Sequence, residues 1–231
     1  MVENMMENVA ENLEKLKTKV YDILGIDVTE AAEIIPGIGS YVEVINMIAN
    51  ASNTKKLNDA LRALSKNENV EKSLNELYGY VSNEERALYV STAFRKIILA
   101  NSKIAATIIG LMLGEIKSEN REFNNDDVIL FNALETMTDF DIRNFKELME
   151  NDYLNDDIGI RYFDTSKFVG KEQKAFNELL GFCEKNRLFS LSTNSMENDS
   201  VFFGMEYAPK PIAFRLLTYI NQVKQILEYR L

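Results

Sequence analysis

Three groups of aspartates are the side chains best suited to chemistry in this 231-residue chain. Asp126 with Asp127, Asp139 with Asp141, and Asp152 with Asp156 and Asp157 bring carboxylates close together. Such groups can hold Mg²⁺ or Ca²⁺, or work as paired acid and base. Their positions argue for a plainer role. The first two pairs stand where helices are expected to begin, and a helix N-terminus favours negative charge. The third lies in NDYLNDDIG, which lacks the spacing of an EF-hand loop and its closing Glu. Structural roles are expected for all three, and no metal site.

The other chemistries are excluded by residue type. The chain has no His, which removes Ser-His-Asp and Cys-His catalysis and every His-containing zinc site. Cys183 is the only cysteine, so no disulfide can form within the chain, as expected of a cytoplasmic protein. With no imidazole to activate it, Cys183 is expected to be a small buried hydrophobe. The segment Pro36–Ser40, PGIGS, has two readings: a phosphate-cradling loop, or a tight corner where glycines let helices approach. No Lys follows the GIG as it would in a P-loop, which favours the corner. The expectation is a protein without catalytic residues or a cofactor.

The elements that carry these residues read mainly as helices. There are only 3 Pro and 10 Gly, and hydrophobic residues make up 46%, enough for a real core. Residues 3–24 place Val9, Leu13, Leu16, Val20 and Ile23 at alternating spacings of four and three, one apolar stripe along a helix. That stripe is a candidate surface for a partner or for a second copy of the chain. It holds no continuous apolar run of the kind a secretory signal needs. A short helix, TEAAEII, leads to Pro36, and an apolar helical piece follows Ser40.

Helices are then expected over 54–65, over 68–81, and from a capping box formed by Ser82 and Glu85. A further helix, 101–116, contains IAATIIGLMLG and is apolar on nearly all sides, which marks a buried central helix. Its apolar run is shorter than the ~20 residues that span a bilayer. Insertion of 31–51 and 101–116 as a membrane-active hairpin is the rival reading. The polar stretch 117–125 sets an expected boundary between a helical bundle domain, 1–120, and a second domain, 121–231.

The second domain has a different grammar. Helices are expected over 126–137 and, capped by Thr138 or Asp139, through FDIRNFKELME, a helix-turn-helix-like pair. Residues 151–166 read as acidic and irregular, with a β-like run at Ile158–Phe163. A helix over 171–186 precedes the β-like RLFSLST, the polar NSMENDS and the β-like VFFGMEY. A last helix runs from Ile212 to about Tyr229.

Helix, strand, polar loop, strand and helix over 171–229, with Asn-Arg-Leu closing the first helix and Ala-Phe-Arg-Leu-Leu-Thr-Tyr-Ile in the last, resemble the end of a winged-helix domain. The whole chain also resembles helical proteins of bacteria and their prophages, which pair an apolar N-terminal half with such a module. The fold implied is mainly α: an N-terminal helical bundle, then a winged-helix-like α+β module with a small β-hairpin. The resemblance makes 171–186 the recognition helix, with Lys171, Lys174, Asn177, Lys185 and Arg187 as nucleic-acid contacts.

Charge argues against DNA. The chain carries −10 overall, with 14 basic and 17 acidic residues up to position 121 and 12 and 19 from position 122 onward. Acidic chains are not natural partners of nucleic acid or anionic membrane. Glu offsets Lys and Arg along 171–187, and the wing NSMENDS is acidic. The first expectation is therefore a non-enzymatic protein that docks another protein or its own copy, in a regulatory, defence or counter-defence role. The alternatives are a winged-helix DNA-binding regulator and a membrane-active helical protein.

Overall fold

The computed structural model describes residues 11–15, 18, 51–66, 68–151, 154–157, 160–163, 165–168, 172–193 and 205–227. Within them the protein is mostly helical, with two short antiparallel strand pairs. Residues 11–15 are helical. The helices α1 (Ala51–Leu64), α2 (Val70–Tyr80), α3 (Glu84–Leu99) and α4 (Lys103–Glu119) follow. Then come α5 (Asn125–Thr136), α6 (Asp139–Glu150), the hairpin β1 (Leu154–Asp157) and β2 (Ile160–Phe163), and a 3₁₀ turn at Thr165–Lys167. The chain continues with α7 (Glu172–Lys185), β3 (Phe189–Thr193), β4 (Met205–Pro209) and α8 (Pro211–Leu227).

Helix α4 is the axis of the fold. Every residue from Ile104 to Gly114 is buried, as its all-round apolar sequence predicts. It packs most extensively on α1, and also on α3, α5, α6 and α8. The α1 contact is backbone to backbone. A Cβ at Gly110 would lie 2.2 Å from the carbonyl oxygen of Ala60, and one at Gly114 would lie 2.5 Å from that of Leu64. Residues four apart share one helix face, so the two glycines make a groove into which α1 sinks. The segment 101–116 is thus core. Among the described residues no helix is long and apolar enough to cross a membrane.

Caps set the helix ends. Ser102 accepts a hydrogen bond from the Ala105 N–H at 3.0 Å and opens α4 after a break at Ala100–Asn101. Asn120 closes it in the left-handed region, φ 48°, which Asn tolerates. Asn124 with Asp127, and Thr138 with Asp141, form reciprocal capping boxes for α5 and α6. One expected cap is corrected. Helix α3 is capped by Asn83, whose side chain accepts from the Arg86 N–H at 2.9 Å, rather than by Ser82 with Glu85. Both residue types cap well, and the choice fell one residue later than the sequence pattern indicated.

Strand content also exceeds the expectation. Residues 154–157 pair with 160–163 in register Leu154↔Phe163 through Asp157↔Ile160. β3 and β4 pair from Phe189↔Pro209 to Thr193↔Met205, and β2 lies alongside β4. Phe189 stacks on Phe145 of α6 at 5.9 Å and meets Phe163 of β2 at 5.0 Å, fastening both hairpins to the helices. Helix α8 starts at Pro211, one residue earlier than expected, since Pro is at home in the first helical position.

One hydrophobic cluster runs from Leu57, Leu77 and Phe94 through Ile108 and Met112 to Leu134, Phe145, Phe176, Leu216 and Val223. Phe123, inside the polar stretch 117–125, belongs to this cluster. The expectations for 31–51, apart from Ala51, for PGIGS and for NSMENDS lie outside the described residues.

Candidate functional site

Two places gather polar side chains. The first is an ionic knot where α4 ends and α5 begins. The Asp127 carboxylate is fully buried. It receives a two-pronged contact from the Arg121 guanidinium, Nη1–Oδ2 2.6 Å and Nη2–Oδ1 3.2 Å. Arg215 of α8 adds a third contact, Nη2–Oδ1 2.8 Å, and the Asn124 N–H donates to Oδ2 at 3.0 Å. Arg215 also donates to the Tyr219 hydroxyl at 2.9 Å, and that hydroxyl donates to Glu115 Oε1 at 3.0 Å.

The knot extends outward. The Tyr80 hydroxyl donates to the Arg121 carbonyl at 2.8 Å. Arg86 lies over the Tyr80 ring, 4.4 Å from its centroid, and pairs with Glu122 at 2.7 Å.

The electrostatics follow from this geometry. Burial pushes the Asp127 carboxyl up. The Arg121 hydrogen bonds, the Asn124 N–H and the two guanidinium charges outweigh burial and hold it below the usual carboxylate range. Burial works against the Arg215 charge, but Tyr219 and Asp127 keep its proton held more tightly than usual. Burial raises Tyr80 to about 12 and raises Tyr219 as well, so both remain hydroxyl donors at neutral pH. At the centre of the knot the carboxylates of Asp127 and Glu115 face the guanidinium groups of Arg121 and Arg215. This arrangement fixes a junction between helices that are distant in sequence.

Two further aspartates have structural roles, while Asp152 lies outside the described residues. Asp141 closes the α6 capping box, and Asp139 accepts from the Ser102 hydroxyl. Among the described residues no group of three His, Cys, Asp or Glu could hold a metal ion. The Cys183 thiol is fully buried, and burial and the Asp141 charge push it well above the usual thiol range. Thiolate is the reactive form. Native protein is therefore expected to label with a thiol reagent at least about tenfold more slowly than urea-unfolded protein, since labelling must await opening. Equal rates would contradict the burial.

The second place is the end of α7. Helix α7 buries Phe176, Leu179, Leu180 and Cys183 and exposes Lys174, Asn177, Glu178, Glu184 and Lys185. Lys174 lies 3.7 Å from Glu178, so positive charge on the outer face is matched locally. The helix closes in a Schellman motif. The Leu188 N–H donates to the Cys183 carbonyl at 2.8 Å, and the Arg187 N–H donates to that of Glu184 at 2.9 Å. Arg187 sits at φ 62°, in the position that usually takes Gly. Lys185, Asn186 and Arg187 then face Asn125, Val128, Ile129 and Asn132 of α5 across a cleft of about 270 Å³.

The residues expected to contact a partner fall into separate groups. Lys185 and Arg187 share the cleft. Lys174 and Asn177 lie two to three turns back along α7, roughly 12–16 Å away at 1.5 Å per residue. Lys171 lies outside the described residues. Of the N-terminal stripe, Leu13 is half-buried and packs against the core cluster. Val9, Leu16, Val20 and Ile23 lie outside the described residues. Sequence reasoning missed Arg121, Arg215, Glu115 and Tyr219 entirely. The pattern Asn124-x-x-Asp127 was a visible capping-box signal, but nothing local pointed to α8.

No family model, curated protein or solved structure matches this chain.

Proposed function

We propose that this is a non-enzymatic protein that works by docking another protein, with the outer face of α7 and the cleft at its end as the docking surface. The observation that carries this reading is the mixed chemistry of that surface. Charges on the helix face are balanced, and the cleft combines three amides, two cations and two apolar side chains. Protein interfaces use such mixtures, whereas a DNA-reading helix needs a clear positive excess.

The succession α7, β3, β4 and α8 supports a winged-helix-like arrangement for residues 121–231. A winged helix with this surface serves as a protein-binding module. The setting that fits the resemblance is the cytoplasm of a bacterium, in a regulatory, defence or counter-defence role.

A photo-crosslinking residue at Asn177 tests the reading. Crosslinking in extract of the native host should give a discrete protein adduct, absent when the same probe replaces buried-face residue Leu180. Duplex DNA at low salt should not be retained on a filter by the wild-type chain. Retention of DNA that is lost on Lys174→Glu or Lys185→Glu would overturn the proposal in favour of a DNA-binding regulator.

A further inference from the structure

We infer that the cleft between the end of α7 and the start of α5 is a site for an extended acidic peptide segment of a partner protein. The inference rests on the docking reading above and names the chemistry that the docked segment must carry.

The lining divides into three kinds of group. Lys185 and Arg187 are exposed and two residues apart, and neither has an ion pair among the described residues. Both face the same cleft, so they present two positive charges to one occupant. Arg suits a carboxylate in particular, because its planar fork matches the two oxygens.

The amides form the second kind. Asn186 Nδ2 donates to the Phe182 carbonyl at 2.9 Å, which leaves its Oδ1 as an acceptor. Asn125 and Asn132 are exposed and each offers both donors and acceptors. A side-chain amide is the natural counterpart of a peptide unit, since it can accept from the N–H and donate to the C=O. Val128 and Ile129, both half-buried, supply the apolar part of the lining.

The size of the cleft narrows the choice further. A volume of about 270 Å³ falls just below the ~300–1,000 Å³ of small-molecule pockets. A space of that size suits a pair of side chains from a docked segment. The surrounding charge rules against a phosphate backbone. Asp126 borders Asn125, and Glu178 and Glu184 stand exposed on α7, so a polyanion tracking along the helix would meet repulsion. A short segment with spaced carboxylates avoids it.

Arg187 provides an internal control. Glycine at φ 62° is less strained than arginine, so Arg187→Gly removes the guanidinium without damaging the Schellman turn. Lys66, at φ 50° and outside the cleft, allows the same backbone change elsewhere.

The test uses the full chain and fluorescence anisotropy at low salt. The probes are a labelled decapeptide of alternating leucine and glutamate, its leucine and glutamine counterpart, a 20-nucleotide single strand, and inorganic phosphate as competitor. The glutamate peptide is expected to bind at least tenfold more tightly than the glutamine peptide. Lys185→Ala and Arg187→Gly should each weaken it at least tenfold, with Arg187→Gly melting no lower than wild type. Lys66→Gly should leave binding unchanged. Equal affinity for the two peptides, unchanged binding by Arg187→Gly, or tighter binding of the oligonucleotide or of phosphate would overturn the inference. A discrete protein adduct at Asn177 with no such peptide selectivity would leave the docking reading standing and remove only this site.

Discussion

Gly110→Ala is expected to destabilise the protein by about 3 kcal/mol, at the upper end of what overpacking a core costs. Intrinsic propensity alone gives the opposite sign, because Ala is favoured over Gly in a helix by about 1 kcal/mol. Packing overrides it. The added methyl would lie 2.2 Å from the Ala60 carbonyl oxygen and 2.8 Å from its carbonyl carbon and Cα. Those atoms belong to the α1 backbone, so no rotamer change relieves the clash. The helices must separate, and the contact between α1 and α4 is the most extensive in the fold.

The measurement is urea unfolding followed by circular dichroism. A lower midpoint with unchanged slope reports lost stability rather than an altered denatured state. Gly181→Ala in α7 is the matched control. A Cβ there meets no heavy atom within 4 Å, so it should stabilise by about 0.5–1 kcal/mol. If the two substitutions moved the midpoint in the same direction, the close approach of α1 and α4 would be wrong.

The same pair of glycines shows what the sequence could reveal. Ile104–Gly114 announces its burial because it has no polar face, and the structure buries it throughout. Which helix fills the groove made by Gly110 and Gly114 could not be read, since α1 carries no complementary signature beyond Ala60. Helix ends were legible to within a few residues because caps are local chemistry. The hairpin of β1 was hidden because LNDD is rich in residues that disfavour strands. Pairing with β2 overrides that preference.

The candidate site was half legible for the same reason. Lys185 and Arg187 stand out as basic residues at a helix end. Their opposite wall, Asn125, Val128, Ile129 and Asn132, lies more than 50 residues earlier and looks like any helix start. The ionic knot was least legible of all. Arg215 meets Glu115 across 100 residues of sequence, and only the folded chain brings them together. Sequence pattern assigns Asp127 to a helix N-terminus, which is correct. It cannot show that the same carboxylate closes a charge network with two arginines.

That network yields the second large effect. Asp127→Asn should cost about 3–5 kcal/mol, the range for breaking a buried ion pair by removing one partner. The amide keeps the shape and one acceptor, so the loss reports charge rather than volume. Arg121 and Arg215 would be left with Glu115 as their shared counter-charge, Arg121 at 3.8 Å and Arg215 at 3.4 Å. Arg121 retains the exposed Glu119 at 2.9 Å, which water screens and which therefore compensates little.

The pH dependence gives an independent reading of the same claim. Asp127 titrates lower in the folded protein than the ~3.9 of an unfolded aspartate. A carboxyl of this kind binds more protons unfolded than folded between those two values. Its contribution is thus complete above about pH 4 and is lost as pH falls through the folded value. The stability gap between wild type and Asp127→Asn should stay constant from about pH 5 to 7 and shrink below about pH 4. A gap that stayed wide in acid would mean that Asp127 acts through its neutral hydrogen bonds. A gap near zero at pH 7 would mean that the two guanidinium ions do not depend on it.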